Sequence, residues 1–271
     1  MDQPVIVITG GTRGIGKGLA RAFVQSQCRV VICARDGDRL AQTLAELDAS
    51  IPGAANRLHG QNCDVADATA VQALWDAAID QFGRVDIWIN NAAIGSHEVD
   101  FWQHDPATIE TLIRINLLGT MHGCRTAVRG MLEQGHGHLY TLEGWGSSGE
   151  RRRGSSLYGT SKAALRYFTK SLAAELRGTP VKLSSLNPGV VPTDLLALSI
   201  RPEQATQIRR FINIFGDRVE TVAPALADRV LGNQRHGARI QWLTPRRLLT
   251  RLLQAPFRRR QVIGPRGENL G

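Results

Sequence analysis

The sequence contains no hydrophobic run that could span a membrane. Its 271 residues include no stretch of about 18 consecutive apolar residues, the length that a transmembrane helix needs. After Met1 the chain enters the apolar run VIVITG almost at once, without the charged, apolar and cleavage regions of a signal peptide. We therefore expect an intracellular protein, or a mature form whose targeting segment is absent from this sequence.

Cysteine is scarce, and its spacing argues against two kinds of site. The four cysteines Cys28, Cys33, Cys63 and Cys124 form neither a CxxC pair nor a Cys/His ligand pattern. A disulfide framework and a zinc site are therefore not indicated, and we expect reduced, structural thiols. The seven histidines are equally scattered, so we predict no protein-bound metal.

Acidic residues are too few to balance the basic ones, and the net charge is +9. A basic balance is typical of proteins that bind nucleic acid. Here, however, eight arginines lie in residues 236–271 beside the single acid Glu268, so most of the excess belongs to the tail. Because that segment lacks a recognised motif and interleaved aromatic residues, we expect no nucleic-acid partner.

What the sequence does contain is an alternation of apolar strands and amphipathic helices. The predicted strands lie at 5–10, 29–35, 57–65, 85–92, 138–143, 181–189 and 238–243, and one long helix is predicted from Pro106 to Glu133. This rhythm predicts an α/β fold with a parallel sheet covered by helices on both faces. We expect one domain over residues 1–243, with an excursion across the sheet at about 192–216 and a tail at 244–271.

The run TGGTRGIG (9–16) stands where the first strand turns into the first helix. Glycines there permit a tight turn, so that backbone N–H groups and the helix N terminus can receive a pyrophosphate. NCDV (62–65) follows the third strand, and NNAA (90–93) ends the fourth. These motifs predict a dinucleotide site containing Gly10, Thr12, Arg13, Gly14, Ile15, Gly16, Asp64, Val65, Asn91 and Ala92.

The end of the second strand indicates which dinucleotide binds. An acid at that position binds the ribose of NAD, whereas a cation suits the 2′-phosphate of NADP. The strand ends in Ala34 and Arg35, and Arg13 lies in the glycine run. Two guanidinium groups favour NADPH, although Asp36 could pair with Arg35, and both arginines could also be ordinary surface residues.

The stretch TLEGWGSSGERRRGSSLYGTSK (141–162) ends in Tyr158 and Lys162, which share one helix face at i,i+4 spacing. A neighbouring ammonium group favours the phenolate and lowers a tyrosine pKa toward neutrality, as a general acid requires. The serine expected about a dozen residues upstream is missing, because Gly144 and Trp145 stand there.

Taken together, these motifs resemble the classical short-chain dehydrogenase/reductases. The likeness covers about residues 4–197 and includes Asn116 in RINLLGT and NPGVVPTDL at 187–195. It implies a Rossmann fold with a seven-stranded parallel sheet, a nicotinamide cofactor, hydride transfer and a homo-oligomer. It further implies that Asn116 keeps a water connected to Lys162, and that a nicotinamide site includes Pro188, Gly189, Val191 and Thr193, where a simple turn is the alternative.

A closer resemblance is to the chlorophyll(ide) b reductases, carried by phrases such as GHLYTLEGWGS, NPGVVPTDLL, RRFINIF and IQWLTPRRLLTRL. It implies reduction of the 7-formyl group of chlorophyll b or chlorophyllide b in a cytoplasmic or stromal-type compartment. Ala93 and Trp145 depart from the expected glycine and small residue. The rival predictions are a reductase of another aldehyde or ketone, and a catalytically silent NADPH-binding module.

Several residues near this stretch are candidates for contact with the substrate. Ser147 is the first candidate to replace the missing serine, and the alternatives are the hydroxyl of Ser148, a backbone N–H group of residues 144–147, or Tyr158 alone. Glu143 is either a proton relay or a partner of one of the arginines at 151–153. A flat pigment needs a wide apolar mouth, and the candidates to line it are Trp145, Leu195, Leu196, Leu198, Phe211, Ile214 and Phe215.

Thr244 and Pro245 predict the N-cap and first turn of a C-terminal helix. Its leucines fall on one side and its arginines on the other. Such a helix can lie on an anionic membrane surface. A capping helix or a subunit contact is the alternative.

Overall fold

The computed structural model describes residues 3–197, 205–255, 257 and 260–263. Seven strands form one sheet: β1 Val5–Thr9, β2 Arg29–Ala34, β3 Leu58–Asn62, β4 Ile87–Asn90, β5 Gly137–Leu142, β6 Val181–Asn187 and β7 Arg239–Gln241. Their spatial order is β3-β2-β1-β4-β5-β6-β7, and every pairing is parallel. The predicted α/β Rossmann fold with a seven-stranded sheet is therefore confirmed.

The helices of the described chain connect these strands and cover both faces of the sheet. They are α1 Gly14–Gln25, α2 Gly37–Ser50, α3 Ala68–Phe82, α4 Pro106–Ile113, α5 Gly119–Gln134, α6 Ser156–Glu175, α7 Asp194–Ala197, α8 Ala205–Phe215, α9 Val219–Leu231 and α10 Pro245–Gln254. Short 3₁₀ turns lie at Ala54–Asn56 and Phe101–Gln103. None of the helices within the described residues has the length and apolarity needed to cross a membrane.

Alternation along the strands divides the core into two layers. Ile6 and Ile8 of β1 pack with residues of α1, α2 and α9 on one face, whereas Val7 packs with residues of α3 and α5 on the other. Successive side chains of a strand point to opposite faces, so a continuous apolar strand supplies both layers. Each fully buried Ile or Val contributes about 1.5–3 kcal/mol.

The long helix predicted from Pro106 to Glu133 is wrong at one place. A π-helical turn, Arg114–Leu118, separates α4 from α5. Such turns are rare and occur most often at functional sites. The apolar spacing of a helix changes little across one wide turn, and the sequence pattern therefore gave no sign of the interruption.

The strand order reverses between β1 and β4, which lie side by side although two other strands separate them in the chain. In open parallel sheets, ligands bind outside the carboxyl ends of the strands at this switch point. The predicted motifs follow β1, β3, β4, β5 and β6, and the topology brings their ends to the same edge of the sheet.

Candidate active site

A cavity of about 720 Å³ lies at the carboxyl edge of the sheet. Its wall includes residues that directly follow β1, β4, β5 and β6: Gly10, Asn91, Glu143 and Pro188. One end is bordered by the turn into α1 and by β2, and the other by α7 and α8. The cavity therefore joins the predicted dinucleotide site to the predicted substrate site.

Glycine is required at two positions of the turn into α1. Gly10 has a φ of +68°, and a Cβ there would lie 2.9 Å from Cα of Ala92. A Cβ on Gly16 would lie 2.2 Å from the carbonyl oxygen of Gly10. Gly10, Thr12, Arg13, Gly14 and Ile15 line the cavity, whereas Gly16 packs behind the turn.

The N terminus of α1 is open to an anion. Its N-cap residue, Arg13, is extended and makes no side-chain capping hydrogen bond. The first N–H groups of a helix lack partners within the helix and carry partial positive charge. A pyrophosphate would satisfy them, so the turn fits a dinucleotide.

Thr9 and Asn91 tie this turn to the end of β4. The Asn91 side-chain amide donates to the carbonyl oxygens of Thr9 at 2.8 Å and Gly10 at 2.9 Å. The hydroxyl of Thr9 accepts from the backbone N–H groups of Asn91 and Ala92 at 3.0 and 3.1 Å. These bonds hold two cavity walls at a fixed separation.

Three exposed arginines line the end of the cavity next to β2: Arg13, Arg35 and Arg39. Asp36 accepts a hydrogen bond from the backbone N–H of Arg39 at 3.0 Å and thereby caps α2. The carboxylate beside Arg35 therefore has a structural partner. Arg39 is not among the predicted site residues, although its place in the first turn of the helix after β2 was a usable signal.

Asp64 and Val65 follow β3 and differ in their position. Val65 lines the cavity, as predicted. The carboxylate of Asp64 accepts from the backbone N–H of Ala66 at 3.0 Å, and Asp64 is outside the cavity lining. The structure therefore shows a turn-stabilising contact for the carboxylate that we predicted in the dinucleotide site.

Tyr158 and Lys162 lie on α6 and both line the cavity. The Lys162 Nζ donates to the carbonyl oxygen of Leu142 at 3.3 Å and lies 5.7 Å from the centre of the Tyr158 ring. Burial lowers the pKa of Lys162 to about 8. Burial also raises the pKa of Tyr158, which differs from the expected lowering by the ammonium group, because here desolvation of the phenolate dominates.

Asn116 lies in the π-helical turn and is completely buried. Its side chain donates to the carbonyl oxygen of Ile94 at 3.0 Å and to the Ser161 hydroxyl at 3.2 Å, and accepts from the N–H of Ile94 at 2.8 Å. Asn116 is outside the cavity lining. Its side chain therefore joins the segment after β4 to α6, beside the Tyr158 and Lys162 pair.

Ser147 is buried in the loop after β5 and is outside the cavity lining. Its hydroxyl accepts from the N–H of Gly144 at 3.0 Å and donates to the carbonyl oxygen of Lys162 at 3.4 Å. These contacts stabilise the loop. Nothing in this geometry supports the hypothesis that Ser147 replaces the missing serine.

Glu143 lines the cavity but pairs with a residue that sequence analysis did not suggest. Its carboxylate accepts from Nε of Arg239 at 2.8 Å, and also from Ser185 at 3.0 Å and Asn187 at 3.2 Å. The predicted ion pair with one of the arginines at 151–153 is therefore wrong. Arg152 and Arg153 instead pair with Glu98 and Asp100, respectively.

The residues after β6 form the middle of the wall. Pro188, Gly189, Val191 and Thr193 all line the cavity. The methyl group of Thr193 faces the glycine turn, since a Cβ on Gly14 would lie 3.2 Å from it. The segment predicted to hold a nicotinamide thus lies between the glycine turn and α7.

The far end of the cavity is largely apolar. Of the predicted residues, Trp145, Leu195, Leu196 and Phe211 line it, joined by Ile208 and Ile212. Phe215 is outside the lining and packs on Phe211, with ring centres 5.0 Å apart. Ile214 is likewise outside it, and Leu198 lies outside the described residues.

Comparison with known proteins agrees with this arrangement. Residues 4–204 match the short chain dehydrogenase family. The chain is 34% identical over 270 residues to "Probable chlorophyll(ide) b reductase NYC1, chloroplastic" of Oryza sativa subsp. japonica, which covers 94% of this chain and 52% of that protein. It is 36% identical over 232 residues to "Chlorophyll(ide) b reductase NOL, chloroplastic" of Arabidopsis thaliana, with 83% of this chain and 64% of that protein covered. The chain therefore spans about half to two thirds of the length of these relatives.

The crystal structure of a 3-ketoacyl-(acyl-carrier-protein) reductase from Brucella melitensis complexed with NADH has the same fold. Its TM-score is 0.77 at 24% identity, over 90% of this chain and 98% of that one. These matches confirm the two resemblances that the motifs indicated.

Proposed function

Because the chain belongs to the short-chain dehydrogenase family, we propose that it is an NADPH-dependent reductase of the 7-formyl group of chlorophyll b or chlorophyllide b. The product would carry a 7-hydroxymethyl group. The observation that carries the reaction type is the position of Tyr158 and Lys162 in one cavity between a phosphate-binding turn and an apolar end. The substrate class rests on the two plant relatives named as chlorophyll(ide) b reductases.

The residues at the cavity edge fit a bound dinucleotide. The open N terminus of α1 suits the pyrophosphate, and Arg13, Arg35 and Arg39 suit a 2′-phosphate. Residues 188–193 would hold the nicotinamide, which supplies a hydride to the carbonyl carbon when bound in its reduced form. The three cations near β2 favour NADPH over NADH.

Tyr158 would donate its phenolic proton to the carbonyl oxygen. Lys162 would hold the nicotinamide ribose and favour the phenolate that remains. Asn116 fixes Ile94 and Ser161 beside this pair, and a water held near it would return the proton through Lys162.

The apolar end of the cavity suits a large, flat pigment. Its aliphatic and aromatic wall can cover the macrocycle, while few polar groups fix its orientation. An aldehyde is more electrophilic than a ketone, so its reduction tolerates the missing serine better. Any magnesium would enter as part of the pigment.

The test is NADPH oxidation with chlorophyllide b, followed by identification of the product. Chlorophyllide a, which carries a methyl group at the same position, is the matched control ligand. We expect the protein to reduce chlorophyllide b and not to oxidise NADPH with chlorophyllide a. Reduction only of compounds in a panel of other aldehydes and ketones would make the protein a general carbonyl reductase, and NADPH binding without any reduction would make it a silent binding module.

We also propose that the enzyme meets its lipid-dissolved substrate at a membrane surface. The leucines of α10 face solvent: Leu248, Leu249, Leu252 and Leu253 are 38–65% exposed, and nearby Phe257 is 88% exposed. Two arginines of α10 face inward, because Arg247 stacks on Trp242 at 3.7 Å and Arg251 pairs with Asp217, whereas Arg246 is exposed. Since α10 packs against α8, which lines the apolar end of the cavity, the helix that carries this leucine face is a direct neighbour of the cavity wall.

Flotation with phosphatidylcholine vesicles, with and without phosphatidylglycerol, tests this contact. The L249E/L253E variant should lose vesicle binding, whereas T250E, on the same helix but outside the leucine face, should keep it. Equal flotation of the two variants would contradict the proposal.

The homo-oligomer that we predict from family resemblance is tested separately by light scattering, in which a monomeric mass would contradict it.

A further inference from the structure

The loop after β5 lacks the usual hydroxyl donor for the substrate carbonyl. Ser147 is used within the loop, and Glu143 is held by Arg239. Reduction places negative charge on the carbonyl oxygen as hydride arrives, and a hydrogen-bond donor at that oxygen stabilises the transition state. A second donor beside Tyr158 must therefore come from another group in the cavity wall.

Two buried N–H donors in this part of the wall have no acceptor among the described residues. They are Nε1 of Trp145 and Nε of Arg152. Both side chains line the cavity, and the Arg152 guanidinium carbon lies 5.2 Å from the centre of the Trp145 ring. Buried donors almost always have partners, so two adjacent exceptions indicate that an acceptor arrives with a ligand.

The loop that carries Trp145 lies close to Tyr158, and Trp145, Arg152 and Tyr158 line the same cavity. A Cβ on Gly144, the residue before Trp145, would lie 2.7 Å from the hydroxyl oxygen of Tyr158. Arg152 is held by its ion pair with buried Glu98, and its Nε is not used in that pair. Trp145 also stands at the distance upstream of Tyr158 where a serine is expected.

We propose that Trp145 is a catalytic residue whose indole N–H donates to the carbonyl oxygen of the substrate, in place of the missing serine. Nε of Arg152 is the supporting donor beside it. This inference rests on the proposed reductase function. Because Nε1 is buried here, the indole must turn within the cavity wall to meet the oxygen. The hydride then forms the new C–H bond, and the oxygen takes its proton from Tyr158 while Trp145 keeps its own.

The activity test removes the N–H and keeps an aromatic ring. W145F should lower kcat/KM for the aldehyde by about 10²-fold, mainly through kcat, and leave NADPH affinity unchanged. W145S, which restores a hydroxyl donor, should be clearly more active than W145A. The matched control is W102F, because Trp102 is 80% exposed and outside the cavity lining.

A second readout does not depend on turnover. In protein labelled with ¹⁵N-tryptophan, the indole N–H signal of Trp145 is the one that is absent from the spectrum of W145F. Addition of NADP⁺ together with the aldehyde, a pair that cannot react, should shift this signal downfield, whereas NADP⁺ alone should not. R152K, which keeps a cation for Glu98 but removes Nε, should reduce the shift.

The outcomes separate this proposal from the proposed function. An active wild type with W145F at full kcat, or with a change in KM only, would overturn the role of Trp145 and leave the reductase function intact. An unshifted indole signal in the ternary complex would also overturn it. A wild type that reduces no carbonyl compound would refute the reductase function itself.

Discussion

The two ends of the cavity are built in different ways. The cofactor end is built around a backbone turn, in which Gly10, Gly16 and the open N terminus of α1 act through main-chain shape and N–H groups, with arginine side chains added next to β2. The substrate end is held by pairs of side chains that are distant in the chain, such as Glu143 with Arg239 and Arg152 with Glu98. Main-chain turns are encoded locally, whereas these pairs exist only in the folded protein.

We expect the largest effect from removing the hydroxyl of Tyr158, the group that joins the cofactor end of the cavity to the substrate end. Y158F removes the proposed proton donor, and turnover should fall by about 10³-fold, within the range for a general acid. The cofactor end does not depend on this hydroxyl, so NADPH affinity measured by fluorescence should be unchanged. Tyr167, 77% exposed on the same helix, provides the control Y167F, which should retain full turnover.

Breaking a side-chain pair at the substrate end should lower the stability of the folded protein. R239M leaves the buried Glu143 carboxylate without its cation, which should lower the free energy of unfolding by about 3 kcal/mol, the lower end for a broken buried pair because Arg239 is partly exposed. Denaturant titration provides the measurement. The double variant E143Q/R239M should recover part of the loss, and an equal loss in both would contradict a charge effect.

The preference for NADPH over NADH should depend on the arginines at the cofactor end of the cavity. R35A/R39A should weaken NADPH binding by about 10- to 100-fold, the loss expected for charged hydrogen bonds of about 1.5–3 kcal/mol, and leave NADH binding unchanged. R21A is the control, because Arg21 contacts Ser50 and lies outside the cavity lining. Equal losses for NADPH and NADH would show that the arginines do not read the 2′-phosphate.

The smallest expected effect is a pH dependence centred on Lys162. Burial lowers its pKa from 10.5 to about 8, so the ammonium form is present below pH 8 and is lost as the pH rises. If that form supports Tyr158, kcat/KM should fall above pH 8 by at most about 10-fold per pH unit. A profile that stays flat to pH 10 would contradict this role.

Much of the cofactor end could be predicted because its signals are local. The glycine run, Arg35 after β2 and the Tyr158 and Lys162 spacing each lie within one turn or helix face. The sequence decided less where a short polar side chain had several hydrogen-bond partners within reach. Ser147 and Asp64 bond to nearby backbone groups instead of lining the cavity, and sequence spacing does not distinguish these alternatives.

The sequence by itself determined the parallel sheet, the glycine turn into α1 and the position of Tyr158 and Lys162 on one helix face, since hydrophobic periodicity and backbone conformation act between near neighbours. Only the tertiary structure decided the partner of Glu143, which is 96 residues away, and the isolation of the Trp145 indole N–H within the cavity wall. A buried polar group takes whichever partner the packed elements bring within hydrogen-bond distance, and that choice depends on the whole fold.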